Sequence, residues 1–359
     1  MRSQTRLFFL AIVFCFATSC KKHIKKPVGA HTNIYLAGGI RKYYSKQEKD
    51  TIFTAVYWKN GVMTELSDSV TSAEVKGIAV HGNDVYVVGY IRRKVNPYYE
   101  TGSAVYWKNG VQTQLGQGVI NGIAFSGNDL YMVGTGWGKN QDQAVYWKNG
   151  KAFTLGKGRL EAIFVDGDDI YIAGCRIYTV ESPGTSYLVT EKSYYPAATY
   201  WKNGDPVALN DTTNCNTTAN GIFVQDGDVY TIGSDNYKGS VPVGWKNQKR
   251  FELGSKLYPS SYISGIAIDD SDRSTLCGSV NVGHYKYRYY DVAAYWKNSR
   301  LVSLRHTSKS SGASCIAMLG NDIYIGGNDG GHPVYWKDGT RYEVGKVNGG
   351  ISAIAIVNY

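Results

Sequence analysis

The triplet Tyr-Trp-Lys recurs along the whole chain, and its spacing governs what the chain can fold into. It stands at Tyr57-Trp58-Lys59, Tyr106-Trp107-Lys108, Tyr146-Trp147-Lys148, Tyr200-Trp201-Lys202, Tyr295-Trp296-Lys297 and Tyr335-Trp336-Lys337, with Gly244-Trp245-Lys246 as a degenerate seventh copy. Successive tryptophans of the series lie 40 to 54 residues apart. Residues 31–359 then divide into seven repeats of about 47 residues, with no length left for a second domain. Of the eight tryptophans only Trp137 falls outside the series.

Each repeat reads as four short strands. One run is Gly77-Ile78-Ala79-Val80, a turn at His81-Gly82-Asn83, and Asp84-Val85-Tyr86-Val87-Val88-Gly89. A variable loop leads to the Tyr-Trp-Lys strand, and a two-residue turn leads to a fourth strand. The strands are rich in β-branched and aromatic residues, which suit a pleated surface. The turn is Asn60-Gly61, Asn109-Gly110, Asn149-Gly150, Asn203-Gly204 or Asp338-Gly339, with departures at Asn247-Gln248 and Asn298-Ser299. A two-residue type I′ turn needs positive φ at both positions, which Asn-Gly tolerates. A glycine is expected to close the second strand of every copy: Gly38, Gly89, Gly134, Gly174, Gly233, Gly278 and Gly327.

Four-strand units of this length predict an all-β fold, a seven-bladed β-propeller of four-stranded antiparallel blades. The repeated region starts on a second-strand sequence, Asn33-Ile34-Tyr35-Leu36-Ala37-Gly38, and stops on a first-strand sequence, Ile351-Ser352-Ala353-Ile354-Ala355-Ile356. The C-terminal segment is therefore expected to join the N-terminal blade as its inner strand and to close the ring.

The run Ala-Val-Tyr-Trp-Lys-Asn-Gly, a Leu four to five residues later, Gly-Ile-Ala and a strand ending Val-Val-Gly resemble HAF-type bacterial extracellular repeats and, more loosely, kelch repeats. The kelch double glycine occurs only at Gly38-Gly39 and Gly326-Gly327, and the marks of WD-repeats are missing. The resemblance implies an exported propeller and says almost nothing of activity, because fold does not carry function.

The N-terminus reads as an address. Arg2 and Arg6 precede an apolar run from Leu7 to Ala17. Eleven residues span ~16 Å as a helix, too short for a bilayer core of ~30 Å. Residues 1–19 are read as a lipoprotein signal peptide, because Ala17-Thr18-Ser19-Cys20 resembles a lipobox with Cys20 as the lipidated residue. Residues 20–30 form a basic linker carrying Lys21, Lys22, Lys25 and Lys26, and 31–359 is the propeller. The linker lacks an acidic cluster, so the anchor is expected in the outer membrane, facing the periplasm. Residues 1–30 hold six of the 39 basic residues and no acid. The repeats therefore carry 33 bases against 29 acids, which argues against a nucleic-acid partner.

Signals for chemistry are sparse. The six histidines form no metal-spaced pair, and no metal or cofactor is expected. Acidic turns such as Asp166-Gly167-Asp168-Asp169 and Asp226-Gly227-Asp228 coincide with the first hairpin turn, where Asp and Gly serve turn geometry. Beyond the signal and anchor lie Cys175, Cys215, Cys277 and Cys315. Their local pairings are Cys175–Cys215 and Cys277–Cys315, and buried free thiols are the equal alternative. The residue before each Gly-Ile-Ala-type strand is polar: Lys76, Asn121, Glu161, Asn220, Ser264, Ser314 and Ser352. These seven could ring one mouth of the channel. Only Glu161 is a carboxylate, so paired acid–base catalysis lacks a second member there.

The variable loops share that face and are rich in Tyr, Arg and Lys. Ligand-binding candidates are Arg92, Arg93, Tyr98, Tyr99, Trp137, Tyr194, Tyr195, Arg288, Tyr289 and Tyr290, with Lys76, Asn121 and Asn220 of the ring. Aromatic faces stack on sugars or peptide side chains, and Arg forks bind carboxylate or sulfate. The expected function is non-enzymatic binding or scaffolding by a monomer, for a protein or glycan partner. The rival is a hydrolase or lyase centred on Glu161 and acting on an envelope or dietary polysaccharide.

Overall fold

The computed structural model describes residues 32–43, 51–68, 71–95, 98–99, 102–138, 142–183, 190–209, 216–235, 241–253, 261–268, 274–285, 288–297, 300–308 and 310–359. The signal segment 1–19, the linker 20–30 with Cys20, and Cys215 lie outside the described residues. The described chain is built from antiparallel strands.

Four of its sheets have four strands each. One has the order Gly349–Asn358, Thr32–Tyr43, Thr51–Lys59, Val62–Glu65, so the last strand of the chain pairs with the first. The others are Thr217–Gln225 to Lys249–Glu252, Ser261–Ile268 to Arg300–Ser303, and Ser311–Leu319 to Thr340–Glu343. A fifth sheet is longer because Val111–Ser126 and Lys151–Asp166 are 16-residue strands, each ending one four-strand unit and starting the next. The first strands of successive units pack side by side. Thr71–His81 contacts Val111–Ser126, the series continues to Ser311–Leu319 and Gly349–Asn358, and Gly349–Asn358 contacts Thr71–His81.

The core lies between the sheets. All seven tryptophans of the recurrent triplet are at most 4% exposed. In the degenerate copy the Phe251 ring occupies the space a side chain on Gly244 would need, 2.6 Å from the position of its Cβ. Elsewhere the triplet tyrosine stacks on the fourth strand instead, as Tyr146 does on Phe153 and Tyr335 on Tyr342.

The triplet lysine and the asparagine after it serve the hairpins. Asn60, Asn109, Asn149 and Asn203 take φ of 50 to 53°, and their Oδ1 atoms accept the amides of Ile34, Val85, Leu130 and Ile170. Lys108, Lys148, Lys202, Lys246 and Lys337 each reach a carboxylate at the start of the second strand: Asp84, Asp129, Asp169, Asp228 and Asp322, at 2.7 to 2.9 Å. On the way each ammonium crosses the face of Tyr86, Tyr131, Tyr171, Tyr230 or Tyr324. In the acidic turns at 166–169 and 226–228, one carboxylate each, Asp169 and Asp228, is thus held by a lysine of the same unit.

One expectation needs correction, and one open alternative is decided. The glycines do not close the second strands, which run on past them to Tyr43, Val95, Pro183 and Tyr285. Cys175, Cys277 and Cys315 are free thiols, so the Cys277–Cys315 disulfide is not made. Each of this pair lies opposite a glycine of its own sheet, Gly265 and Gly326, and fills the space there. Burial pushes the Cys277 thiol pKa up, and that of Cys315 to about 12, which leaves both thiols inert at neutral pH.

Candidate functional site: a bulged polar ring and an aromatic patch

The seven polar residues singled out in the sequence share one backbone feature. The register of the first and second strands slips by one residue at Lys76, Asn121, Glu161, Asn220, Ser264, Ser314 and Ser352. Each is the extra residue of a β-bulge, left without a partner in the ladder, and bulges re-aim a side chain. The recurrent glycine is the other half of this device. A Cβ on Gly38, Gly89, Gly134, Gly174, Gly233, Gly278 or Gly327 would stand 1.8 to 2.0 Å from the carbonyl oxygen two residues before the bulge. Only glycine admits that approach.

Two of the bulged residues turn toward the neighbouring unit. Asn121 Nδ2 donates to the Leu160 carbonyl at 2.9 Å and to Glu161 Oε2 at 3.1 Å. Ser264 Oγ donates to the Ala313 carbonyl at 2.9 Å. Asn121 and Ser264 therefore stitch unit to unit. Asn220 holds the same bulge position and is half-buried. Glu161 is different: burial pushes its carboxyl pKa up, against the pull of Arg159 and Lys76. Arg159, two residues earlier, also lies against the Cys175 thiol.

A second cluster rises beside Lys76. Lys76 Nζ and the Tyr90 hydroxyl both donate to the Glu74 carboxylate, at 2.5 and 2.7 Å. Burial opposes ionisation of Glu74, yet these bonds and the Arg92 charge hold its pKa below the usual value. Arg92 lies over the Tyr90 ring, 5.4 Å from its centroid, and donates to its hydroxyl at 3.3 Å. Trp137 meets Tyr90 edge to face at 6.1 Å. It is half-exposed and rests on Gly102, where a Cβ would come within 2.7 Å of its ring. The one tryptophan outside the repeat series is thus held in a fixed surface position.

The structure brings Arg92, Trp137 and Lys76 together, and separately joins Asn121 to Glu161. Tyr194 and Tyr195 are exposed, at 52% and 39%, and stand opposite Thr179 and Tyr178. Period-two alternation sends the two members of that doublet to opposite faces. Tyr290 is half-buried, and the described ring contacts join none of these three to Trp137. The side chains of Arg93, Tyr98, Tyr99, Arg288 and Tyr289 lie outside the described residues. Sequence reasoning missed Glu74 and Tyr90. Their signal was alternation: Glu74 lies two residues before the bulge and Tyr90 directly follows Gly89.

The fold resembles that of the β-propeller domain of the Trilobed protease from Pyrococcus furiosus, at TM-score 0.50 and 9% identity over 88% of this chain and 93% of that one. The chain is an all-β repeat protein of the propeller type. TolB from Acinetobacter baumannii aligns at TM-score 0.41 and 10% identity, over 90% of this chain and 80% of that one. A Trypanosoma rangeli sialidase aligns at 0.36 and 9%, over 86% and 49%. No family model and no curated protein sequence matches the chain. Identities this low speak to fold alone.

Proposed function

We propose that the protein is an exported, lipid-anchored, seven-bladed propeller that binds a protein or glycan partner on its variable-loop face and performs no chemistry there. Seven triplets and seven bulges support the blade number. Closure is supported by the pairing of Gly349–Asn358 with Thr32–Tyr43 and by its packing on Thr71–His81. Kinship to HAF-type or kelch-like lipoproteins, the anchor at Cys20, a periplasm-facing outer-membrane location and a monomeric state rest on sequence pattern. Replacing Cys20 by Ala is expected to abolish labelling by a palmitate analogue in cells.

The observation that carries the binding role is Trp137, seated on Gly102 and braced by Tyr90 and Arg92. A half-exposed aromatic held this rigidly binds at low entropic cost. The test is binding to a glycan array together with photo-cross-linking from position 137 in intact cells. A partner lost in Trp137→Ala and kept in Lys148→Ala, on the opposite face, is the expected result. Equal binding by both variants contradicts it.

A second reading is a hydrolase or lyase acting on an envelope or dietary polysaccharide. It draws on the opposed pKa directions of Glu161 and Glu74, with Lys76 acting on both. Divergent carboxyl environments are how acid and base roles separate. Turnover lost in Glu161→Gln with binding retained would favour it.

A further inference from the structure

Counting from the recurrent glycine shows a second pattern on the loop face. The residue three positions beyond it is Arg41 after Gly38, Arg92 after Gly89 and Trp137 after Gly134. In the next unit Arg176 follows Gly174 by two. The three arginines each lie over an aromatic ring: Arg41 over Phe53 at 5.3 Å, Arg92 over Tyr90 at 5.4 Å, Arg176 over Tyr178 at 5.5 Å. Phe53 is 42% exposed, and Tyr195, which faces Tyr178 across the strand pair, is 39% exposed. Three consecutive units therefore present a cation or a ring at this position; in the fourth the equivalent residue is Ile177, and Arg176, one residue earlier, leaves the other face of its strand. The described equivalents further round the molecule, Asn281 and Gly330, present neither.

From this arc we infer that the ligand is an acidic oligosaccharide, carrying uronate or sulfate groups and lying across these three units. The inference rests on the binding role proposed above and narrows it. A ring plane accepts the apolar face of a pyranose. A guanidinium stacked on an aromatic is held in one orientation and offers planar, charge-assisted donors that match carboxylate or sulfate. Of the described anions nearby, Glu74 already accepts Lys76 and Tyr90, Glu65 pairs with Lys42, and Asp142 stands across the strand pair from Trp137. Repetition at the unit spacing suits a polymer better than a single sugar, because linked weak contacts reinforce one another.

The test titrates the full-length chain in detergent with hexasaccharides of galacturonate, guluronate and sulfated uronate. Methyl-esterified hexagalacturonate and monomeric galacturonate serve as controls. At least one charged hexasaccharide is expected to bind, with its ester and monomer weaker by about tenfold or more. Arg41→Ala is expected to weaken binding by about tenfold, and added salt to weaken it further. An unchanged melting temperature shows that this variant still folds. Equal binding of acid and methyl ester overturns the charge requirement but leaves aromatic recognition standing. Binding of no charged hexasaccharide overturns the inference. Binding that Trp137→Ala leaves intact overturns both the inference and the binding face on which it rests.

Discussion

Glu161 sits where burial and two cations pull its carboxyl in opposite directions, and burial prevails. A carboxyl whose pKa is raised on folding favours the folded state at low pH and loses that advantage as pH rises above its unfolded value, 4.5. Glu161→Gln removes the ionisation and keeps an acceptor for Asn121. Its melting temperature is therefore expected to exceed the wild-type value at pH 8 and to converge with it at pH 4, by calorimetry. Asp329 shows the opposite sign. It is buried, and although burial opposes its charge, donors on Ser308 and Thr307 hold its pKa well below the usual range, with Arg341 2.7 Å away. Its contribution is present above about pH 3.8 and is lost as pH falls toward the folded value. Asp329→Asn is expected to cost about 3 kcal/mol at neutral pH by denaturant unfolding, and less as the medium is acidified. Neither carboxyl environment was legible in the sequence, because each depends on residues contributed by other strands.

At the scale of the element, the bulge and its glycine act as one device. Gly134→Ala places a methyl group 2.0 Å from the Val119 carbonyl oxygen, which must move and draw the Asn121 bulge with it. A loss of about 3 kcal/mol or more is expected in urea unfolding, whereas Gly127→Ala, on an open turn, costs about 1 kcal/mol through its positive φ. Both halves of the device were visible in the sequence as recurrent positions. Their coupling was not, since pattern alone does not reveal a carbonyl approaching a Cα across a ladder. The hairpin turns were legible, because Asn-Gly has a local backbone requirement. Second-strand length is not legible: a glycine at that position reads as a terminator, whereas the strand runs on through Tyr90 and Arg92. Gly102→Ala is expected to dislodge Trp137 and weaken ligand binding with little change in stability.

Across the whole molecule, the repeat wrote its architecture into the sequence seven times, and the aromatic core followed from it. Spacing alone left Cys277 and Cys315 open between a disulfide and free thiols, because near-equal separations do not say which neighbours the thiols pack against; the structure has them free. The first and last described strands pair in one sheet, and deleting 350–359 would strip Thr32–Tyr43 of one of its two partners. No cooperative melting transition is expected from that deletion. The two faces differ in kind: one is closed by internal Lys–Asp pairs, the other carries the bulges, Trp137 and the arginines. The most direct measurement of that asymmetry is acrylamide quenching of tryptophan fluorescence, with and without a saturating acidic hexasaccharide. Seven tryptophans are buried and Trp137 is half-exposed, so the accessible fraction reports the loop face. Protection on adding the saccharide in wild type, absent in Trp137→Phe, is the predicted result. Saturated binding with unchanged quenching would contradict the account.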